Sequence, residues 1–209
     1  MRRLLILGGS AMTEPALQAL TGAGHTVSVY WSRDAVLSAA PCADTLRGGV
    51  HGAAAIIDTT HPFDDTVRRI AARLAPDLPR IRLRRPGWTA TAQDRWTHVT
   101  SLAEAVAALP AGARVFAASG RDSAEVLTHH DGPVYLRQLQ RHDGVAPAGC
   151  TYVFGAGPFD VEDEIALLRD LRIDLVLVRN IGGTGSFPKL AAARALGLPV
   201  VLIDPPASG

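Results

Sequence analysis

Four short polar segments hold the residues best suited to chemistry, and each follows an apolar run. Gly8-Gly9-Ser10 follows Leu4 to Leu7. Small residues there let backbone N–H groups approach a pyrophosphate, and a following helix adds partial positive charge. The third spaced glycine of the usual dinucleotide fingerprint is absent, as is a phosphate-binding lysine motif, and a tight strand-to-helix turn explains the glycines equally well. Arg33 lies just past the second apolar run, where dinucleotide folds put an acid for a ribose hydroxyl or an arginine for the extra phosphate of NADP. Asp34 is adjacent, and a solvated arginine is the plain alternative. Joined to the glycine turn, Arg33 points to NADPH.

Thr60-His61-Pro62-Phe63 is the more informative segment. Pro62 keeps His61 extended, so the chain turns sharply and presents a hydroxyl and an imidazole. His61 suits proton transfer near neutral pH, or a hydrogen bond to a carboxylate. The competing account has Thr60 capping a helix and His61 satisfying a carbonyl. In the second half, Ser119-Gly120-Arg121 offers a guanidinium for a carboxylate or phosphate, against a plain salt bridge to Asp122 or Glu125. Arg179-Asn180, followed by Gly182-Gly183, sets a cation and an amide beside backbone that can come close to a large ligand. Arg82, Arg84 and Arg85 form either a charge-guarded edge or a carboxylate-binding rim. Lys189 either reaches a phosphate or is an ordinary surface lysine.

The elements that must position these groups alternate. Strands are expected near residues 4–7, 26–30, 54–57, 80–83 and 96–99, then 113–118, 134–136, 174–178 and 199–203. Helical spacing covers 13–20, 64–74, 160–171 and 187–196. Gly155-Ala156-Gly157-Pro158-Phe159 reads as a constrained turn before a helix. This alternation implies an α/β fold of two Rossmann-like modules with mostly parallel sheets, with ligands beyond the carboxyl ends of the strands in an inter-domain cleft. The expected junction is Pro110-Ala111-Gly112, dividing the chain into 1–111, the NADPH-binding half, and 112–209, the ligand-binding half.

Composition narrows the function. The 209 residues are 47% hydrophobic and 20% charged with net charge +1, which fits a globular protein and gives no broad field for nucleic acid or membrane. Lys189 is the only lysine, so positive charge is almost wholly arginine, the better partner for carboxylates. Two distant cysteines, Cys42 and Cys150, argue against a disulfide framework or a zinc site, and no metal site is expected. The opening apolar run is too short for an export leader, so the expected location is cytoplasmic.

Taken in order, the motifs resemble the precorrin-6A reductase family, called cobalt-precorrin-6A reductase in the anaerobic pathway to vitamin B12. The matching residues are Leu5 to Ser10 with Thr13-Glu14, Arg47 to Gly52, Asp58 to Phe63, and Arg84-Arg85-Pro86 with Trp88. In the second half they are Ser119 to Arg121, Gly157-Pro158-Phe159, Asn180 with Gly182-Gly183, and Lys189-Leu190 through Val201. The chain departs from the family at Ala11-Met12, Gly155, Arg179, Ile181 and Pro206.

The resemblance implies NADPH in one module and a polycarboxylate tetrapyrrole in the other. It further implies hydride transfer near the direct junction of rings A and D, with a proton to the neighbouring carbon. Cofactor contacts are then expected from Gly8, Gly9, Ser10 and Arg33, and catalytic contacts from Thr60 and His61. Substrate carboxylates fall to Arg84, Arg121 and Arg179 together with Asn180. The opposite cofactor assignment, through Ser119 to Arg121 and Lys189, stays open. So do the cobalt-containing substrate, a reductase of another small substrate, and a non-catalytic tetrapyrrole-binding protein. Partners beyond precorrin-6A are limited to transient contacts with neighbouring pathway enzymes.

Overall fold

The computed structural model describes residues 1–31 and 41–206, without the side chains of 41–45. Arg33 and Asp34 lie outside the described residues. The chain divides into two compact units, Met1–Arg85 and Pro86–Gly209. Both are α/β with wholly parallel sheets.

The first unit carries β1 (Arg3–Gly8), α1 (Thr13–Gly22), β2 (Thr26–Trp31), α2 (Pro41–Val50), β3 (Ala55–Thr59), α3 (Thr66–Leu74) and β4 (Arg80–Arg82). Its sheet order is β2-β1-β3-β4. Strand β1 is apolar without alternation because both of its faces are covered. Leu5 and Leu7 pack with Leu46, Val67 and Ala71 of α2 and α3, whereas Ile6 packs with Ala16 of α1. Since β2 lies on one side of β1 and β3 on the other, the chain reverses direction between β1 and β3. The carboxyl ends of those two strands are therefore the topological switch point, where open α/β sheets leave a crevice.

The second unit carries β5 (Trp96–Val99), α4 (Leu102–Ala107), β6 (Val115–Ala118), a single 3-10 turn (Arg121–Ser123), α5 (Ala124–Leu127), β7 (Val134–Gln138), β8 (Cys150–Phe154), α6 (Val161–Asp170), β9 (Leu175–Arg179), α7 (Pro188–Ala195) and β10 (Val200–Ile203). Its order is β5-β10-β9-β6-β7-β8. Leaving aside β5, this is the doubly wound order of a dinucleotide-binding sheet, with the switch point between β6 and β9. Phe116, Val176, Val178, Val200 and Leu202 form one face of the core with Leu168, Leu190 and Ala193 of α6 and α7.

Two expectations need correction. The junction anticipated at Pro110–Gly112 lies inside the second unit, because residues 86–99 are fastened there. Strand β5 pairs with β10 in parallel register, Trp96 opposite Val200. Arg194 also donates from Nε and NH2 to both carboxylate oxygens of Asp94, at 2.9 Å each. The second correction adds elements that periodicity had not suggested: helices α2 and α4 and strand β8. Among the described residues, no helix is long and apolar enough to cross a membrane.

Candidate active site

In the first unit, the Gly8–Ser10 and Thr60-His61 segments stand at the carboxyl ends of the neighbouring strands β1 and β3, at one switch point. Gly8 is in register with Thr59 on the neighbouring strand, so the Gly8–Ser10 turn and the Thr60-His61 turn leave the sheet side by side. Gly8 is required by packing: a Cβ there would lie 2.9 Å from Thr13 Cγ2 and 3.0 Å from the Trp31 ring. Behind the turn lies a chain of hydroxyls. The Thr59 hydroxyl donates to the Leu7 carbonyl at 2.9 Å, and Thr13 Oγ1 is 2.9 Å from Thr59 Oγ1. Gly9 N–H donates to Thr13 Oγ1 at 3.2 Å. In front, Ser10 Oγ accepts from Met12 N–H at 3.2 Å.

Asp58, buried beside Thr60, organises the second turn. Its Oδ1 accepts from Thr60 N–H at 2.9 Å and from the Thr60 hydroxyl at 2.7 Å. Its Oδ2 faces Arg68 at 3.5 Å and Arg82 at 3.6 Å. Burial, then the charge of Arg68, holds the Arg82 guanidinium below its ordinary pKa, with Asp58 acting the other way and Arg84 adding repulsion. Thr60 therefore presents only oxygen lone pairs to a ligand. His61 Nδ1 accepts from Phe63 N–H at 3.3 Å, which puts the proton of the neutral ring on Nε2. Arg84 is exposed beyond β4 and joins the positive charge around Arg82.

In the second unit, Arg121 follows β6 and Arg179 ends β9, the two strands that flank the switch point. Arg179 NH2 donates to Asp122 Oδ2 at 2.6 Å. Asp122, one of the two carboxylates considered as a plain partner for Arg121, is thus held by Arg179. Gly120 permits it: its φ is +88°, and a Cβ would lie 2.5 Å from Asp122 Oδ1 and 2.7 Å from Arg179 NH1. Ser119 is fully buried and turned inward, its Oγ 2.7 Å from Ser123 Oγ, whose hydroxyl donates to Gly120 O at 2.6 Å. Beyond β7, Arg141 lies over the Phe154 ring at 5.6 Å.

Asn180 makes two hydrogen bonds within the second unit. Its Oδ1 accepts from Trp88 N–H at 2.7 Å, and its Nδ2 donates to Asp204 Oδ1 at 2.8 Å. Both ends of the amide are engaged inside the protein. Trp88 Nε1 completes the clasp by donating to Gly183 O at 2.7 Å.

Lys189 is not the ordinary surface lysine that one reading expected. It is buried, with Nζ donating to Ser186 O at 2.7 Å. Close by, Arg137 NH2 donates to Glu164 Oε1 at 2.6 Å, both side chains buried. Burial pulls the Lys189 pKa down to about 8; Glu164 partly offsets this and Arg137 adds to it. In the unfolded chain the amine keeps its ordinary affinity for protons. As pH rises past the folded value, the native state sheds its proton before the unfolded state does, and the native state gains. Relative to Lys189→Met, wild-type stability should therefore increase by about 2 kcal/mol from about pH 7.5 to about pH 9.5. Urea unfolding of both proteins across that range checks this, and a flat difference would remove the buried-ammonium explanation.

Residue type alone did not identify Thr13, Thr59, Asp58 or Asp122 as site builders. Asp58 and Thr59 stood in a recognised motif, but their neighbours Thr60 and His61 were the more obvious chemistry. Among the described residues, no group of three or more His, Cys, Asp or Glu side chains is arranged to hold a metal ion.

Comparison with known proteins extends over the same span. Residues 3–209 match the family described as precorrin-6x reductase CbiJ/CobK. The chain is 39% identical to a precorrin-6A reductase of Rhodobacter capsulatus, over 99% of this chain and 89% of that protein. It is 34% identical to a precorrin-6A reductase of Rhodococcus erythropolis, over 99% and 90% of the two lengths. A solved structure of CobK precorrin-6A reductase superposes with a TM-score of 0.80 at 33% identity, covering all of this chain and 90% of the other.

Proposed function

The chain belongs to the precorrin-6x reductase CbiJ/CobK family, and from that premise we propose that it reduces precorrin-6A to precorrin-6B with NADPH. The observation that carries this reading is the contrast between the two switch points. At the first, the turn after β1 is made of glycines and a hydroxyl without a charged side chain and leads into α1, a helix of 10 residues. Such a turn suits a dinucleotide diphosphate, which backbone N–H groups and the helix terminus can receive. The second is followed only by a 3-10 turn and a four-residue helix, a poor dipole, but it carries Arg121 and Arg179. Guanidinium groups there suit the carboxylates that ring a tetrapyrrole.

On this reading Gly8, Gly9 and Ser10 receive the nucleotide together with Arg33, while Arg121 and Arg179 take substrate carboxylates and Arg84 adds to the positive rim. Bound NADPH supplies the hydride, delivered near the junction of rings A and D. The protein supplies orientation and a favourable field. His61 holds the proton on Nε2, and Thr60, with its hydroxyl donated to Asp58, fixes the turn and accepts hydrogen bonds. Asn180 serves by clasping Trp88 rather than by touching substrate.

The test is an anaerobic spectral assay of the purified protein with precorrin-6A and NADPH, NADH or no nicotinamide. Stoichiometric NADPH oxidation, with a product heavier by one molecule of hydrogen and labelled from the deuterated cofactor, is the expected result. Reduction of the cobalt complex alone would assign the protein to the anaerobic route. Binding of either tetrapyrrole without oxidation of nicotinamide would make it a carrier. The metal-free substrate is favoured because relatives similar over nearly the whole chain are named for it.

A further inference from the structure

The hydroxyl chain behind the Gly8–Ser10 turn has only one consistent direction. Thr59 uses its single hydroxyl proton on the Leu7 carbonyl. Thr13 must then be the donor in the 2.9 Å contact between the two hydroxyl oxygens. With its proton committed, Thr13 Oγ1 can act toward Gly9 N–H only as acceptor, as the 3.2 Å hydrogen bond requires. The sequence therefore runs from Gly9 N–H through Thr13 and Thr59 to Leu7 O. It ties α1, β3 and the end of β1 together. Thr59 is wholly buried and Thr13 almost so, and no water is needed to complete the run.

This arrangement sorts the donors of the turn. Gly9 N–H points inward. Met12 N–H is held by Ser10 Oγ, and Thr13 N–H by Ser10 O. Ser10 N–H and Ala11 N–H have no hydrogen-bond partner among the described residues. Because Ser10 Oγ accepts from Met12, its own proton stays available.

We propose that Thr13 and Thr59 are positioning residues for the cofactor: their one-way hydroxyl chain withdraws Gly9 N–H and presents Ser10 N–H, Ala11 N–H and the Ser10 hydroxyl to the diphosphate of NADPH. The proposal rests on the cofactor assignment made above. Its chemistry is specific, since two adjacent N–H groups and one O–H match the oxygens of a diphosphate. It also gives Ala11, inserted relative to the family pattern, a role through its backbone.

The test is the dissociation constant of NADPH, measured by nucleotide fluorescence on the full chain. Thr59→Val keeps the shape but ends the chain, and should weaken NADPH binding about tenfold. Thr59→Ser should stay within about twofold of wild type, since the hydroxyl is what matters. The KM for precorrin-6A should change by less than about twofold in both variants. Thr13→Val breaks the same chain one link earlier, so adding it to Thr59→Val should weaken binding little further. If Thr59→Val does not fold, Thr13→Val against Thr13→Ser gives the same comparison. Wild-type binding of NADPH with unchanged binding by the valine variants overturns the positioning role and leaves the cofactor assignment standing. No binding of NADPH by the wild type overturns both.

Discussion

Replacing Glu164 by leucine is expected to lower stability by about 3–5 kcal/mol, because it strands a buried guanidinium. Arg137 sits between two rings, 4.7 Å from the Phe159 centroid and 5.1 Å from that of Phe116, and Glu164 is its carboxylate partner. Lys189 nearby adds a second positive charge to the same interior. Losing the only anion of the three leaves cations with neither water nor counterion. The double change Arg137→Met with Glu164→Leu removes the stranded guanidinium, and with it the repulsion on Lys189, and should cost less than half as much as Glu164→Leu alone, roughly 1–2 kcal/mol. Urea unfolding of the single and double variants measures both. If the double variant loses the sum of the two single losses, the pair does not act as a unit.

The second large effect concerns the Asn180 clasp. Asn180→Leu leaves Trp88 N–H and Asp204 Oδ1 without their partners, and should cost about 2–4 kcal/mol. The loss should begin locally. Residues 86–99 are held to the second unit largely by this amide, the Asp94–Arg194 pair and the β5–β10 ladder. The tryptophans of that segment, Trp88 and Trp96, should therefore report the change at lower urea than far-UV circular dichroism does. Coincident transitions by the two probes would show that the clasp belongs to the global cooperative unit.

Strands such as Leu4 to Leu7 and Asp174 to Val178 were legible because unbroken apolar runs are the mark of strands covered on both faces. The switch points were legible too, since glycines and polar groups collect where such strands end. Strand β8 was not, because Cys150–Phe154 is short and lies between Gly149 and Gly155, amid turn-forming residues. Helix α2 was hidden by Gly48 and Gly49 within it. Gly49 is there for packing, since a Cβ would lie 3.2 Å from Leu5 Cδ1.

The site was read by residue type, which locates a group without saying what engages it. Asn180 looked available because its partner Trp88 is far away in sequence, and Lys189 because residue type does not reveal burial. Gly155 stood out only as a departure from the family pattern. A Cβ there would lie 2.4 Å from Arg137 NH1, so the position is already filled by an arginine from β7.

The position of β5 also sets a schedule for biosynthesis. It is translated before every other strand of its sheet, yet among the described residues its only strand partner is β10, roughly a hundred residues later in the chain. At about 5–20 residues per second, the first unit can finish folding while the 86–99 segment waits several seconds for its place. During that interval Trp88 and Trp96 lack the contacts that later cover them. The nascent second half therefore passes through a stage with an unclaimed strand, when a chaperone or a second nascent copy would find it most accessible.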